Sequence, residues 1–275
     1  MKYEPVKQTL GQLFSRRPWT RKLFYRLLDI LLLRTWHIHK NLKEFARSGD
    51  SGQSLQVLDA GSGFGQYSYY MARKYPNWHI RGIDIKQEET EACTRFFRQA
   101  GLPNAIFQQY DLTTFEQPDT YDLILSVDVM EHIEDDRKVF ANFFRSLRPG
   151  GLLLISTPSD HGGSDVHHQD DSSFIDEHVR DGYATGEIKQ KLTGTGFKHV
   201  ETAYTYGKPG SISWRISMKY PIIMLGKSRA FLFILPIYYL LTMPFILILN
   251  AADVHRTHRS GTGLLVKAWK PHNPR

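Results

Sequence analysis

One short run limits the possible folds more than any other. Val57-Leu58-Asp59-Ala60-Gly61-Ser62-Gly63-Phe64-Gly65 ends an apolar strand in glycines and passes straight into a helical pattern. Glycines there let the backbone turn sharply and approach a ligand closely. The surrounding residues repeat the theme. Apolar runs at Ser54–Ala60, His79–Ile85, Ala105–Tyr110, Tyr121–Val127 and Leu152–Ser156 read as strands. Helical patterns at Gln66–Tyr75, Gln87–Ala100 and Asp135–Leu147 separate them, the last ended by Pro149-Gly150-Gly151. Nearly unbroken apolar strands alternating with helices predict a parallel sheet covered on both faces, a doubly wound α/β domain. A helix at Gly186–Leu192 and strands at Phe197–Tyr206 and Gly263–Trp269 complete the pattern.

Charge divides the 275 residues into three parts. Residues 1–50 carry eleven Lys/Arg against four Asp/Glu, residues 51–204 fourteen against 23, and residues 205–275 ten against one. The acidic middle argues against a broad nucleic-acid-binding face, so no nucleic-acid partner is expected. Two basic, apolar ends suit an anionic membrane surface. One cysteine, Cys93, leaves no internal disulfide framework. Residues 1–8 lack the apolar run of a secretory signal, so a cytoplasmic location is expected.

Two acids follow the glycine loop at the right places. Asp84, followed by Ile85, stands at the tip of the second strand, where a carboxylate can accept hydrogen bonds from a ribose diol. Asp111, followed by Leu112, stands at the tip of the third, where an adenine amino group could donate. A dinucleotide loop would read Gly-x-Gly-x-x-Gly, but Gln66 stands where its last glycine belongs.

Together these segments resemble class I S-adenosylmethionine-dependent methyltransferases of the type 11-like kind. Five motifs match in order: Asp59–Gly65, Asp84, Asp111, Asp122–His132 and Leu147-Arg148-Pro149-Gly150-Gly151. The resemblance spans about residues 54–207 plus the last strand. It implies a seven-stranded sheet in the order 3-2-1-4-5-7-6 with strand seven antiparallel. It implies S-adenosylmethionine as cofactor, held by Asp59, Gly61, Ser62, Gly63, Gly65, Asp84, Ile85, Asp111, Leu112 and Ser126. It leaves the acceptor open.

Methyl transfer asks the protein to align the acceptor and exclude water, since the sulfonium carbon is already electrophilic. A hydroxyl acceptor also needs a base. Candidates are His132, in the Glu131-His132 pair after strand four, and His167, His168 and His178 in the polar loop Thr157–Ala184, which should overhang the site. Adjacent histidines point apart in most backbones and chelate poorly, so no metal is expected. The alternative for the loop is a solvated lid.

Phe231–Leu249 holds 19 residues without a charge, long enough to suggest a membrane span. A simple span would strand the seventh strand across the bilayer from its sheet. With Pro236 and Pro244 expected to interrupt it, the segment reads as a kinked hairpin dipping into one leaflet or as helices in the interface. Residues 16–36, basic and amphipathic with Trp19 and Trp36 near the ends, read as a second interfacial helix or as a cap over the cofactor. The expected organisation is a basic helical segment at 1–50, a methyltransferase core at 51–207, an apolar helical insertion at 208–260, and the last strand with a tail at 261–275.

The resulting expectation is a methyltransferase, peripheral or monotopic at the membrane, acting on oxygen of a hydrophobic or lipid-linked acceptor. Two alternatives stand beside it. One is a soluble small-molecule methyltransferase whose insertion forms a dimer interface. The other is a non-catalytic, membrane-associated adaptor.

Overall fold

A computed structural model describes residues 18–49, 52–162 and 179–272 of the chain. Among the described residues, helices α1 (Pro18–Leu31) and α2 (Leu33–Ser48) come first, followed by β1 (Gln56–Ala60), α3 (Gln66–Lys74), β2 (His79–Asp84), α4 (Gln87–Ala100), β3 (Ala105–Gln109) and β4 (Tyr121–Val127). Then come α5 (Asp136–Ser146), β5 (Leu147–Pro158), α6 (Thr185–Thr195) and β6 (His199–Thr205). The insertion holds α7 (Lys208–Trp214), α8 (Tyr220–Lys227) and α9 (Leu235–Val254), and β7 (Gly263–Trp269) closes the fold.

The seven strands form one sheet in the order β3-β2-β1-β4-β5-β7-β6. β7 runs antiparallel between β5 and β6, pairing Ile155 with Val266 on one side and Thr202 with Val266 on the other. The order and direction are those the sequence led us to expect.

The unbroken apolar strands have a direct explanation. Successive side chains of β4 alternate between two cores: Leu123 and Leu125 enter one, Ile124 the other. β5 repeats this with Leu152 and Leu154 against Leu153 and Ile155. Phe140, Phe143 and Leu192 of α5 and α6 cover one face; Ile38, Leu42, Met71 and Phe97 of α2, α3 and α4 cover the other. With both faces of the central strands buried, these strands keep no polar period, whereas the edge strands β3 and β6 carry exposed positions.

The insertion departs from expectation at one point. Pro236 lies in the first turn of α9, where its missing N–H would have had no partner anyway. Pro244, however, lies inside α9, and the helix continues through it for ten more residues. An interior proline removes one hydrogen bond and distorts the ladder, but flanking turns can hold the helix together. Here Tyr238 and Tyr239 donate their hydroxyls to the carbonyls of Ile216 (2.7 Å) and Ser217 (2.8 Å), carbonyls of a π-helical turn at Arg215–Lys219. The insertion is thus a helical hairpin folded on itself, and its long arm has the length and composition of a membrane span. Little of that arm is buried, and it exposes Ile237, Leu240, Leu241, Phe245 and Ile248.

Candidate active site

The glycine loop sits at the carboxyl end of β1, where a doubly wound sheet keeps its ligand crevice. Gly61, Gly63 and Gly65 all adopt positive φ, at 76°, 49° and 77°. At Gly61 a side chain would drive a Cβ to 2.3 Å from Val129 Cγ2. At Gly63 an added Cβ would meet no described atom within 4 Å, so the loop presents bare backbone to open space. That is the cradle a nucleoside-bearing cofactor requires.

The three acids do three different jobs. Asp84 grips the loop directly, accepting hydrogen bonds from Gly63 N (2.8 Å) and Lys86 N (2.9 Å). Asp59 is buried and accepts from Ser68 Oγ at 2.6 Å, so its carboxylate ties β1 to α3 beneath the loop. Burial, helped by repulsion from Asp84 and opposed by the Ser68 bonds, pushes the Asp59 carboxyl up to about 6. Asp111 is exposed at the end of β3, and its Oδ1 accepts from Thr113 N and Oγ1, both at 2.8 Å, in a local turn.

The remaining sequence candidates fall as follows. Ser62 Oγ and Ser126 Oγ are buried without a hydrogen-bond partner among the described residues, and both lie at the carboxyl ends of the central strands. Such orphaned hydroxyls fit a site completed by a polar ligand. Ile85 is exposed at the rim. Leu112 packs in the core, and its carbonyl accepts from Asn142 Nδ2 at 2.9 Å, so its side chain serves packing. His132 is exposed on a 3₁₀ turn, Met130–His132, just past β4. His167, His168 and His178 lie outside the described residues. Of the fourth motif, Asp122 stands at the far end of β4, where it accepts from Gln56 N and Arg148 and anchors the sheet. Glu131 is buried and accepts from Thr157 Oγ1 at 3.0 Å, joining the turn that carries His132 to β5.

Two features escaped the sequence reading. Arg21 and Tyr25, one helical turn apart on α1, both donate to the carbonyl of Phe64 inside the glycine loop, Arg21 Nη2 at 2.6 Å. Arg21 also reaches Ala92 O (3.0 Å) and Cys93 Sγ (3.1 Å). Burial raises the Cys93 thiol to about 12, so it stays a neutral packing group. Second, Asp128, held at φ 52° after β4, pairs with Arg34 of α2, whose backbone N–H donates to Tyr206 OH at 3.1 Å. An Arg-x-x-x-Tyr spacing within a basic helix looks like a solvated face, and Asp128, although inside the Asp122–His132 motif, gives no sign in sequence of a partner on α2.

Sheet order, glycine cradle and strand-end acids define a class I S-adenosylmethionine-dependent methyltransferase. A family model described as a methyltransferase domain matches residues 51–202. The chain belongs to this family and is an enzyme with S-adenosylmethionine as its cofactor. It is 32% identical over 160 residues to phosphoethanolamine N-methyltransferase 1 of Zea mays, covering 58% of this chain and 31% of that one. It is 31% identical over 153 residues to phosphoethanolamine N-methyltransferase of Plasmodium falciparum, covering 54% and 55%. The chain thus spans about a third to a half of these relatives. Among solved structures, Haemonchus contortus phosphoethanolamine N-methyltransferase 2 in complex with S-adenosyl-L-methionine superposes with TM-score 0.59 at 19% identity, covering 90% of this chain and 60% of that one. The enzyme assignment sets aside the non-catalytic adaptor.

Proposed function

We propose that this methyltransferase acts at a membrane surface, seated peripherally or monotopically on the cytoplasmic side, and methylates the amino nitrogen of a phosphate-linked head group. One observation carries the membrane half. The insertion begins where β6 ends, at the same end of the sheet as the glycine loop, and α9 and the turn before it expose Phe233 (85%), Leu240 (76%) and Ile248 (67%) with Leu241 and Phe245. Uncovered apolar area of this kind marks an interaction site. The basic residues around it, Lys219, Lys227 and Arg256, favour an anionic bilayer over a second protein chain.

The relatives' names support nitrogen over the oxygen acceptor that the lid alone suggests. Chemistry then asks for a base. A primary amine is protonated near neutral pH and must lose that proton before its lone pair can attack. His132, exposed past β4 and held by a turn that Glu131 locks to β5, takes that proton. Bound S-adenosylmethionine supplies the electrophilic methyl group. Asp84 and the Gly61–Gly65 loop would hold its nucleoside, and the orphaned Ser62 and Ser126 hydroxyls would be available to its polar groups.

The test is a labelling experiment. Enzyme and methyl-labelled cofactor are incubated with free phosphoethanolamine, with vesicles containing phosphatidylethanolamine, and with a hydroxyl-bearing quinol in vesicles. Label on the vesicle amine is the expected result. Label on the quinol returns the acceptor to oxygen. Label on the free compound alone returns the insertion to a protein interface and the enzyme to the soluble reading.

A further inference from the structure

We infer that α1 couples seating on an anionic bilayer to the grip on the cofactor. The inference rests on the membrane reading above but concerns a different element. α1 has two working faces. Its inner face carries Arg21 and Tyr25, buried against the loop. Its outer face carries Trp19, Leu23, Leu27 and Ile30, all exposed. Their spacing of four, four and three residues places them in one stripe along the helix. Arg26 is exposed within that stripe, and Lys22 lies at its edge. A helix of this make-up, apolar stripe with basic flank and a terminal Trp, fits the interface of an anionic bilayer.

The inner face explains why seating matters. The glycine loop is held from both sides. Asp84 takes the Gly63 amide at 2.8 Å, and Arg21 with Tyr25 takes the next carbonyl, that of Phe64. A third tie runs from Gln66 Nε2, at the start of α3, to Asp29 Oδ1 of α1 at 2.8 Å. Any shift of α1 along its axis or about it therefore moves the peptide units that cradle the cofactor. A bilayer that binds the outer stripe selects one position of α1, and that position fixes the loop. Coupling between two binding events is reciprocal, so cofactor must tighten membrane binding by the same factor.

Calorimetric titration of S-adenosylmethionine, with and without vesicles of mixed phosphatidylglycerol and phosphatidylcholine, tests this. Cosedimentation of the same samples is read in parallel. The wild type should bind vesicles and gain about fivefold or more in cofactor affinity on them. The double variant Leu23→Ser/Leu27→Ser should keep its cofactor affinity in solution, still sediment through the insertion, and lose the gain. Tyr25→Phe should also sediment and show a reduced gain. Wild type that sediments with no change in cofactor affinity overturns the coupling and leaves the membrane reading standing. Wild type that does not sediment overturns both. A full gain retained by Leu23→Ser/Leu27→Ser overturns the assignment to α1.

Discussion

His37 on α2 lies 2.9 Å from Asp253 near the end of α9, although 216 residues separate them. The Asp253 carboxylate is fully buried and also takes the backbone N–H groups of Tyr206 (3.2 Å) and Gly210 (3.0 Å), with His258 at 3.2 Å. One side chain thus joins the amino-terminal helices, the end of β6, both arms of the insertion and the approach to β7. The insertion is riveted to the core at the edge of the site, which is what a hairpin presenting a membrane face would need.

Breaking that rivet should loosen the whole insertion. Burial alone would raise the Asp253 carboxyl, but the His37 bond, the nearby His258 and the Gly210 amide outweigh it and hold it below the usual carboxylate range. A depressed carboxylate stabilises above its unfolded pKa, and that contribution is lost as pH falls through the folded value. Asp253→Asn should therefore cost about 3 kcal/mol at pH 7, with the gap to wild type closing below roughly pH 4. Thermal unfolding across pH measures it. A constant gap at all pH values would mean the carboxylate charge is not what holds the insertion.

Asp84 is the acid that meets the cradle itself. Asp84→Ala should remove both the support of Gly63 N and the expected contact to the ribose. Two charge-assisted bonds of this kind imply roughly 10- to 100-fold weaker binding of S-adenosylmethionine and of its demethylated product. Titration calorimetry with each ligand reads the effect. Asp111→Ala should do less, because Oδ1 of Asp111 is engaged in its own turn with Thr113. Equal losses for the two would place Asp111 on the ligand as firmly as Asp84.

The sheet was legible because its evidence is local. Each strand is a short apolar run between turn residues, and the Val57–Gly65 run shows which strand comes first. The antiparallel seventh strand followed from the resemblance and not from the residues of Gly263–Trp269, whose pattern says only strand. The grip on Phe64 was not legible. Arg21 and Tyr25 find that carbonyl across 43 and 39 residues, and only packing of α1 against α4 brings them there. Pro244 misled for the opposite reason: a local rule expected a break, and the surrounding hairpin kept the helix whole. The bond from Ser68 Oγ to Asp59 was not legible either, since a residue's position along β1 does not reveal which side chain lies beneath the loop.

His132 carries the proton-transfer part of the proposal, and pH can isolate it. His132→Gln keeps the size and polarity but removes the base. On an amine acceptor kcat should fall about 100-fold with KM little changed. The defect should shrink as pH rises toward 10, near the ordinary amine range, because the acceptor then arrives already deprotonated. Steady-state rates between pH 7 and 10 on phosphatidylethanolamine vesicles show this. A loss that stays constant over the range would make His132 a positioning residue, acting through the Met130–His132 turn.

Asp59 offers the reverse sign of pH dependence and a conflict between stability and binding. Its carboxyl is pushed up to about 6, first by burial and then by Asp84, against the Ser68 bonds that favour the charged form. A raised carboxyl binds its proton more tightly folded than unfolded, so stability falls as pH climbs from about 4 to about 6 and stays lower above that. Asp59→Asn keeps an oxygen for Ser68 Oγ and removes the buried charge. It should raise the unfolding temperature at pH 8 relative to wild type and lose that advantage at pH 4. The same change should weaken S-adenosylmethionine, because the cofactor is a cation and a buried negative charge beneath its cradle attracts it. Thermal unfolding and calorimetry on one variant read both effects. If Asp59→Asn were less stable at pH 8 and bound cofactor as wild type does, the charge would be structural. The acid that opens the glycine motif would then serve the fold alone.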